Sequence, residues 1–124
     1  MLTIKPCTDT GHINALCEKT GVPFRQTVQA FCSEERGEET GCCLFSIKDG
    51  QAQVLRVCCG EDDFLEDGLI RAALSFCSQN GAEEFLLSPE IQWKTARRLG
   101  LDIHLTNHPR NIEEFFAKYK NCAR

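Results

Sequence analysis

The chain has 124 residues, of which 42% are hydrophobic and 26% are charged, and its formal net charge is −4. This length suits one domain with a single core, so we expect residues 1–124 to form one domain. The negative charge argues against binding to nucleic acid, which requires a basic face. No apolar run approaches the roughly 20 residues that span a membrane, and no signal-peptide pattern is present, so we expect a cytoplasmic protein without membrane association.

The N-terminal third of the chain predicts one strand and two helices. Leu2–Lys5 alternates as a short strand, which we expect Pro6 to end. Apolar residues at helical spacing then predict an amphipathic helix to about Lys19. The segment Arg25–Cys32 repeats this spacing and predicts a second helix, whereas the polar, acidic run Ser33–Thr40 is typical of an exposed loop.

A β-hairpin is predicted next, from turn chemistry. Cys42–Ile47 and Ala52–Cys59 are strand-like runs, and Asp49-Gly50 between them is typical of a two-residue type I′ turn. Counting back from this turn places Cys43 opposite Arg56.

The second strand of this hairpin leads into a predicted crossover unit. The loop Gly60–Gly68 follows it, then an amphipathic helix from Leu69 that Gly81 closes, and then a short strand over Phe85–Leu87. A strand, a covering helix and a parallel strand form a right-handed crossover. We therefore expect a ligand at the loop Gly60–Gly68, between the strand and the N-terminus of the helix.

The C-terminal part predicts a helix, a strand and a final helix. Ser88-Pro89-Glu90 is a helix start, Gly100 ends that helix, and Leu101–Leu105 is apolar enough for a strand. Asn111 and Glu114 resemble a capping box at the start of the last helix. The apolar face of that helix favours a homodimer, because it exceeds what a small core covers; its residues are Ile112, Phe115, Phe116 and Tyr119.

Nine cysteines raise the question of a disulfide, metal or redox site. Their number is odd, no C-x-x-C motif is present, and His12, His104 and His108 have no spacing suited to a metal. We therefore predict no metal site. Buried thiols in a reducing compartment are the preferred interpretation, and metal binding and redox chemistry are the alternatives.

Several segments, in this order along the chain, resemble the GCN5-related N-acetyltransferase (GNAT) superfamily. They are the opening Met1–Pro6, the hairpin end Leu55-Arg56-Val57, the helix start Gly68–Leu74 and the helix end Arg98-Leu99-Gly100-Leu101. The resemblance implies an α/β fold of the α+β type, with a mixed twisted sheet and helices on both faces. It also implies transfer of an acyl group from acetyl-CoA, or a related acyl-CoA, to an amine.

The resemblance assigns cofactor contacts to two segments. The backbone of Val57, Cys58 and Cys59 corresponds to the part of the fold that holds the pantetheine arm of acetyl-CoA. The amides of Asp67, Gly68, Leu69 and Ile70 correspond to those that hold its pyrophosphate. The family's Gln/Arg-x-x-Gly-x-Gly/Ala signature is replaced here by a run of acids that retains one glycine, Gly68. An alternative role for Asp67 is to cap the helix.

The sequence does not assign any catalytic residue. Ala96 aligns with the tyrosine that often serves as the family's general acid, and Tyr119 is the chain's only tyrosine. Glu61, Asp62 and Asp63 are candidate bases, and solvated acids are the preferred interpretation of them. A basic face that includes Lys94, Arg97 and Arg98, with Trp93 beside it, would suit the 3′-phosphate and adenine of CoA.

Two functions remain open from the sequence. The first is an N-acetyltransferase acting on a small-molecule or peptide amine. The second is a catalytically degenerate domain of this fold that serves as a ligand-binding or protein-binding module, which the acidic loop and the missing tyrosine favour.

Overall fold

The computed structural model describes residues 2–88, 91 and 109–122, which contain a six-stranded sheet and three helices. The strands are β1 (Leu2–Cys7), β2 (Val28–Glu35), β3 (Glu38–Lys48), β4 (Gln51–Cys58), β5 (Glu84–Leu87) and β6 (Arg110–Asn111). The helices are α1 (Thr10–Thr20), α2 (Asp63–Gln79) and α3 (Ile112–Cys122). The helix predicted from Ser88 to Gly100 and the strand Leu101–Leu105 lie essentially outside the described residues, as do Trp93, Lys94, Ala96, Arg97, Arg98, His104, His108 and the side chain of Tyr119.

The strands follow one another across the sheet in chain order, from β1 to β6. β4 and β5 run parallel, with α2 as the crossover between them, and the other neighbouring strands run antiparallel. The predicted crossover unit and the mixed sheet are therefore confirmed. Within the described residues, no helix combines the length and the apolar character needed to cross a membrane.

Each face of the sheet carries its own apolar core. On one face, α2 and α3 pack against alternate residues of β2 to β5, and this core includes Leu69, Leu74, Phe45 and Phe85. On the other face, α1 packs through Ile13, Leu16 and Cys17 on the opposite residues of β2 and β3. Helices therefore lie on both faces, as the sequence predicts.

The predicted helix Arg25–Cys32 is wrong, and so is the predicted loop Ser33–Thr40. These residues form most of β2 and the start of β3, joined by Arg36 and Gly37, whose φ angles of 56° and 80° suit a tight hairpin turn. Because β2 is buried on both faces, it lacks the polar and apolar alternation that identifies a half-buried strand. Its buried residues then fall by coincidence at helical spacing.

The hairpin of β3 and β4 has the predicted turn but a different register. Asp49 and Gly50 have φ angles of 53° and 76°, and the residues flanking the turn pair as expected. Further along, Leu44 lies opposite Arg56 while Phe45 lies opposite Val54, so Leu55 is the extra residue of a β-bulge. The predicted pairing of Cys43 with Arg56 is therefore wrong.

α2 begins earlier than the sequence analysis predicts. Asp62 is its N-cap, and its Oδ1 accepts a hydrogen bond from the backbone N–H of Leu65 at 3.0 Å. The predicted start at Leu69 is wrong because Leu65, one helical turn earlier, already packs in the core. At the other end, Gly81 has a φ of 94° and the N–H of Ala82 bonds to the Cys77 carbonyl, which confirms the predicted glycine closure.

Two further predictions concern the end of β1 and the start of α3. Pro6 does not end β1, which continues to Cys7; the strand is an edge strand, where a missing N–H is tolerated. Asn111 caps α3, because its Oδ1 accepts a hydrogen bond from the Glu114 N–H at 2.8 Å.

Candidate functional site

The bulge at Leu55 determines which way the end of β4 faces. Without it, alternation from the buried Val54 would send Val57 and Cys59 towards α1. With it, both pack against the α2 core, and Cys58 turns to the α1 side, where it lies opposite the buried Cys42. The predicted contact residues Val57, Cys58 and Cys59 therefore alternate between the two faces of the sheet where β4 ends.

β5 accompanies β4 along only part of its length. The pairs run from Gln51–Glu84 to Val54–Leu87, and the last bond joins the Ser88 N–H to the Val54 carbonyl at 2.9 Å. Beyond Val54, the described pairs of β4 are with β3. The parallel pair thus stops at the bulge. Ligands of α/β sheets commonly bind at the carboxyl ends of parallel strands.

The start of α2 lies directly beyond β4, after a short turn in which Gly60 has a φ of 66°. The Glu66 N–H bonds to the Asp62 carbonyl and the Leu65 N–H to the Asp62 side chain, so these contacts form the first turn of the helix. The amides of Asp67–Ile70 lie inside the helix, where each donates to a carbonyl four residues earlier. An anion would therefore approach this helix at its first turn and not at the later amides that the sequence analysis assigned.

Asp67, Gly68, Leu69 and Ile70 have structural roles. Asp67 does not cap the helix; its Oδ2 lies 2.8 Å from the Arg71 Nε, one turn later. A Cβ placed on Gly68 would lie 3.1 Å from Ile4 Cδ1, so this glycine lets α2 approach β1. Leu69 and Ile70 are fully buried in the core.

The surroundings of this helix start are acidic. Asp62 caps the helix, Asp63 and Glu66 lie in its first turn, and the exposed Glu61 precedes them. Negative side chains complement the partial positive charge of a helix N-terminus. They also oppose the approach of a phosphate to the same amides.

A cavity of about 340 Å³ opens at the end of β4 on the α1 side. Its walls are the C-terminal turn of α1, the first half of β3 and the predicted residues Val57, Cys58 and Cys59. Lys19 contributes a positive charge and Glu39 a negative one. The structure thus joins the predicted pantetheine segment to an open cavity, and Asp67–Ile70 take no part in its lining.

Gly41 is a residue of this site that the sequence analysis missed. A Cβ at this position would lie 2.8 Å from the Cys58 carbonyl oxygen and 3.0 Å from Cys59 Cβ. The absence of a side chain therefore lets β3 approach the end of β4 closely. The sequence offered little signal, because Gly41 directly precedes the predicted strand Cys42–Ile47, where a glycine is typical of a loop.

A second missed feature is a pair of polar side chains beside this cavity. His12 Nε2 lies 2.6 Å from Glu39 Oε2, joining the first turn of α1 to β3. The two residues are far apart in the sequence and were not linked there, because their contact depends on the packing of α1 on the sheet.

Comparisons with known proteins agree with this architecture. No protein-family model matches the sequence, and no curated protein is significantly similar to it. Among solved structures, the IAA acetyltransferase of Bacillus cereus has a TM-score of 0.60 and 12% identity, over 79% of this chain and 75% of its own. The ribosomal-protein-S18-alanine N-acetyltransferase of Escherichia coli has a TM-score of 0.59 and 14% identity, over 81% and 73%.

A protein of Exiguobacterium sp. 255-15, provisionally described as an acetyltransferase, matches over more of the chain. Its TM-score is 0.66 and its identity 12%, over 96% of this chain and 98% of that one. At such identities a structural match establishes the fold alone. The chain has the fold of the GNAT acetyltransferases.

Proposed function

We propose that the protein is an N-acyltransferase that moves an acyl group from acetyl-CoA, or a related acyl-CoA, to an amine. The observation that carries this proposal is the end of β4, where the bulge at Leu55, the end of the β5 pairing and an open cavity coincide. The structural neighbours, which include acetyltransferases of different acceptors, support the same reaction class.

The proposed cofactor path follows the backbone of β4. The pantetheine arm would run beside Val57, Cys58 and Cys59, since β5 no longer pairs with this part of the strand. Its amides would bond to peptide groups much as an added strand does. The pyrophosphate would then meet the turn at Gly60 and the first-turn amides of α2.

The acids at the start of α2 determine how strongly the cofactor binds. Glu61, Asp62, Asp63 and Glu66 all carry negative charge near the proposed pyrophosphate position. We therefore expect affinity for CoA to be weak and to rise when one of these charges is removed. The acceptor is a small-molecule or peptide amine, which is a cation at neutral pH and is attracted by an acidic surface.

A calorimetric titration of the full chain with acetyl-CoA and with CoA, at low salt, tests the proposal. Saturable binding accompanied by a ligand-dependent rise in Tm is the expected result, because a ligand that binds only the folded state stabilises it. Absence of binding at millimolar ligand would overturn the proposal and leave the alternative, a binding module with an acetyltransferase fold.

A charge variant locates the site in the same experiment. Glu61→Gln should tighten CoA binding by about two- to five-fold, the effect of roughly 0.3–1 kcal/mol for a charge near a helix N-terminus. Glu113→Gln, an exposed residue in the first turn of α3, is the matched control and should leave CoA affinity unchanged. Equal affinities for Glu61→Gln and the unmodified protein would move the pyrophosphate away from α2. Once binding is established, an amine screen with acetyl-CoA identifies the acceptor class.

A further inference from the structure

The α1 face of the sheet brings together three side chains that bind metals in other proteins. A thiol from Cys7, a thiol from Cys32 and an imidazole nitrogen from His12 all lie within 4.8 Å of one another. They come from β1, β2 and α1 respectively. Two sulfur ligands and one nitrogen are the donor set typical of zinc sites.

Strand register brings the two thiols together. Cys7 of β1 lies opposite Ala30 of β2, so Cys32, two residues beyond Ala30, lies diagonally from Cys7 on the same face. Cys32 is buried, with 5% of its surface exposed, whereas Cys7 is half-buried at the end of the edge strand. Cys32 is therefore shielded by the protein, and Cys7 makes the pair accessible to an ion from solvent.

The cap of α1 positions the imidazole. Asp9 Oδ1 accepts hydrogen bonds from the N–H groups of Gly11 and His12, at 2.9 Å and 3.3 Å. This fixes the first helical turn directly after β1, so the side chain of His12 reaches the end of that strand. His12 is half-buried, like Cys7.

A carboxylate accompanies the histidine. Glu39 Oε2 of β3 lies 2.6 Å from His12 Nε2. Metal-binding histidines typically hydrogen-bond a carboxylate or carbonyl, which orients the ring and makes it a stronger ligand. Glu39 therefore completes an arrangement of three ligands and one orienting acid.

We propose that Cys7, His12 and Cys32 form a binding site for one thiophilic divalent cation of the zinc class. Glu39 acts as the carboxylate partner of the imidazole, and solvent occupies the fourth coordination position on the open side. On binding, each thiol loses its proton to solvent, so two thiolates balance the charge of the cation. In a tetrahedral zinc site, ligand atoms lie about 3.3–3.8 Å apart, so a separation at the 4.8 Å limit closes by about 1–1.5 Å. Cys7, half-buried at the end of the edge strand, permits this movement.

The three ligands of this site do not line the cavity at the end of β4, although their carboxylate partner Glu39 does. Assembly of the metal site requires no acyl-CoA. This site also explains why the sequence analysis predicts no metal. A zinc motif is recognised by ligands at short fixed spacings, whereas here the second thiol is supplied by strand pairing.

Cobalt is the probe of choice for the test. The full chain is reduced with a phosphine, freed of metal and titrated with Co²⁺, whose complexes absorb light differently according to their ligands. We expect thiolate-to-cobalt charge-transfer absorption and the intense visible bands of a tetrahedral complex, saturating at one ion per chain. Zn²⁺ should displace Co²⁺ and should raise Tm.

Variants assign the signal to these ligands. Cys7→Ser and His12→Gln change half-buried side chains, so the fold should survive, which circular dichroism checks. Each should weaken Co²⁺ binding by at least about ten-fold and remove part of the charge-transfer or tetrahedral spectrum. Glu39→Gln should weaken binding by roughly ten-fold as well, but keep the ligand-field spectrum. Cys58→Ser, at an exposed thiol outside the cluster, is the matched control and should bind like the unmodified protein.

Two results would overturn the proposal. The first is absence of a tetrahedral cobalt spectrum in the reduced protein at stoichiometric metal. The second is a spectrum that Cys7→Ser and His12→Gln leave intact, which would assign the metal to other residues of the chain. Neither result depends on CoA binding, so failure here is distinguishable from failure of the proposed enzymatic function.

Discussion

The Asp62 carboxylate accepts a hydrogen bond from the Leu65 N–H at 3.0 Å, so the first turn of α2 is capped by the chain's own acid. The same carboxylate stands where the proposed pyrophosphate would approach the helix. Capping of the helix therefore favours an acid at this position, whereas cofactor binding is opposed by its negative charge. Its substitution by alanine or asparagine separates the two effects.

Asp62→Ala should lower the free energy of unfolding by about 1 kcal/mol, within the range of roughly 0.5–2 kcal/mol for a lost N-cap. Asp62→Asn should retain most of the stability, because an amide oxygen caps as well as a carboxylate, and should tighten CoA binding by removing a charge. Urea unfolding and calorimetry measure the two quantities. An equal loss of stability in both variants would contradict the capping role.

Gly41→Ala should destabilise the protein by about 1–3 kcal/mol, the usual cost of an overpacked position. Its Cβ would lie 2.8 Å from a backbone oxygen of Cys58, which cannot move without distorting β4. Gly68→Ala is the informative comparison. There the nearest atom is the flexible tip of Ile4 at 3.1 Å, so the helix-propensity gain of up to about 1 kcal/mol should prevail. Chemical denaturation of both variants checks the contrast in sign.

Asp67 and Arg71 should contribute unequally to stability. Their ion pair spans one turn of α2, and the Arg71 guanidinium also lies 4.8 Å from the centre of the Phe115 ring on α3. Asp67→Ala should cost about 0.3–0.5 kcal/mol, whereas Arg71→Ala should cost about 1–2 kcal/mol because it also loses the packing between helices. A double-mutant cycle isolates the pair, and a coupling energy of zero would show that the contact is not stabilising.

Stability should fall as the pH rises above the ordinary thiol range. Burial raises the pKa of the Cys77 thiol from 9.0 to about 12, and burial together with nearby negative groups raises that of Cys42 to about 12. Below pH 9 both thiols are protonated in the folded and unfolded states. The stability that the protonated, buried thiols give the folded state is therefore fully present there. Between pH 9 and pH 12 the unfolded chain loses the protons first, so unfolding becomes more favourable.

Urea unfolding at about pH 8 and about pH 10.5 measures this effect. Cys77→Ala should be less stable than the unmodified protein at both pH values, because it leaves a small cavity. Its free energy of unfolding should, however, fall less between the two pH values. Glu113→Gln, at an exposed side chain in the first turn of α3, is the control, and its decline should match that of the unmodified protein. Identical declines for Cys77→Ala and the unmodified protein would show that this thiol is not linked to unfolding.

Local chemistry explains which elements could be predicted. Asp49 and Gly50 have the backbone preferences of one turn type, and Gly81 closes a helix, so these features follow from a few neighbouring residues. β2 could not be recognised because burial on both faces removes the alternation on which strand prediction depends. The start of α2 was misplaced because Asp62 and Asp67 are both acceptable caps, and only packing of Leu65 distinguishes them.

The candidate sites depend on contacts between residues that are distant in the sequence, so they could not be predicted from neighbouring residues. The alternation of Val57, Cys58 and Cys59 follows from a bulge, which shifts the register of β3 with β4 by one residue. The cluster of Cys7, His12 and Cys32 follows from the pairing of β1 with β2 and from the packing of α1. Ile112 and Phe115 on the apolar face of α3 are buried inside the chain, with Phe115 against Phe85, and the homodimer stays a prediction.

The extra residue at Leu55 reverses the inward and outward alternation of side chains along β4. Everything before it keeps the alternation set by the Asp49-Gly50 turn, and everything after it follows the opposite one. Regular pairing of β4 with Leu55 retained would present Arg56 and Cys58 to the α2 core and turn Val57 and Cys59 towards α1. Deleting Leu55 would instead remove the bulge and leave Val57 and Cys59 facing the α2 core. Sequence alignments of this segment therefore need a gap placed at the bulge before equivalent positions can be compared.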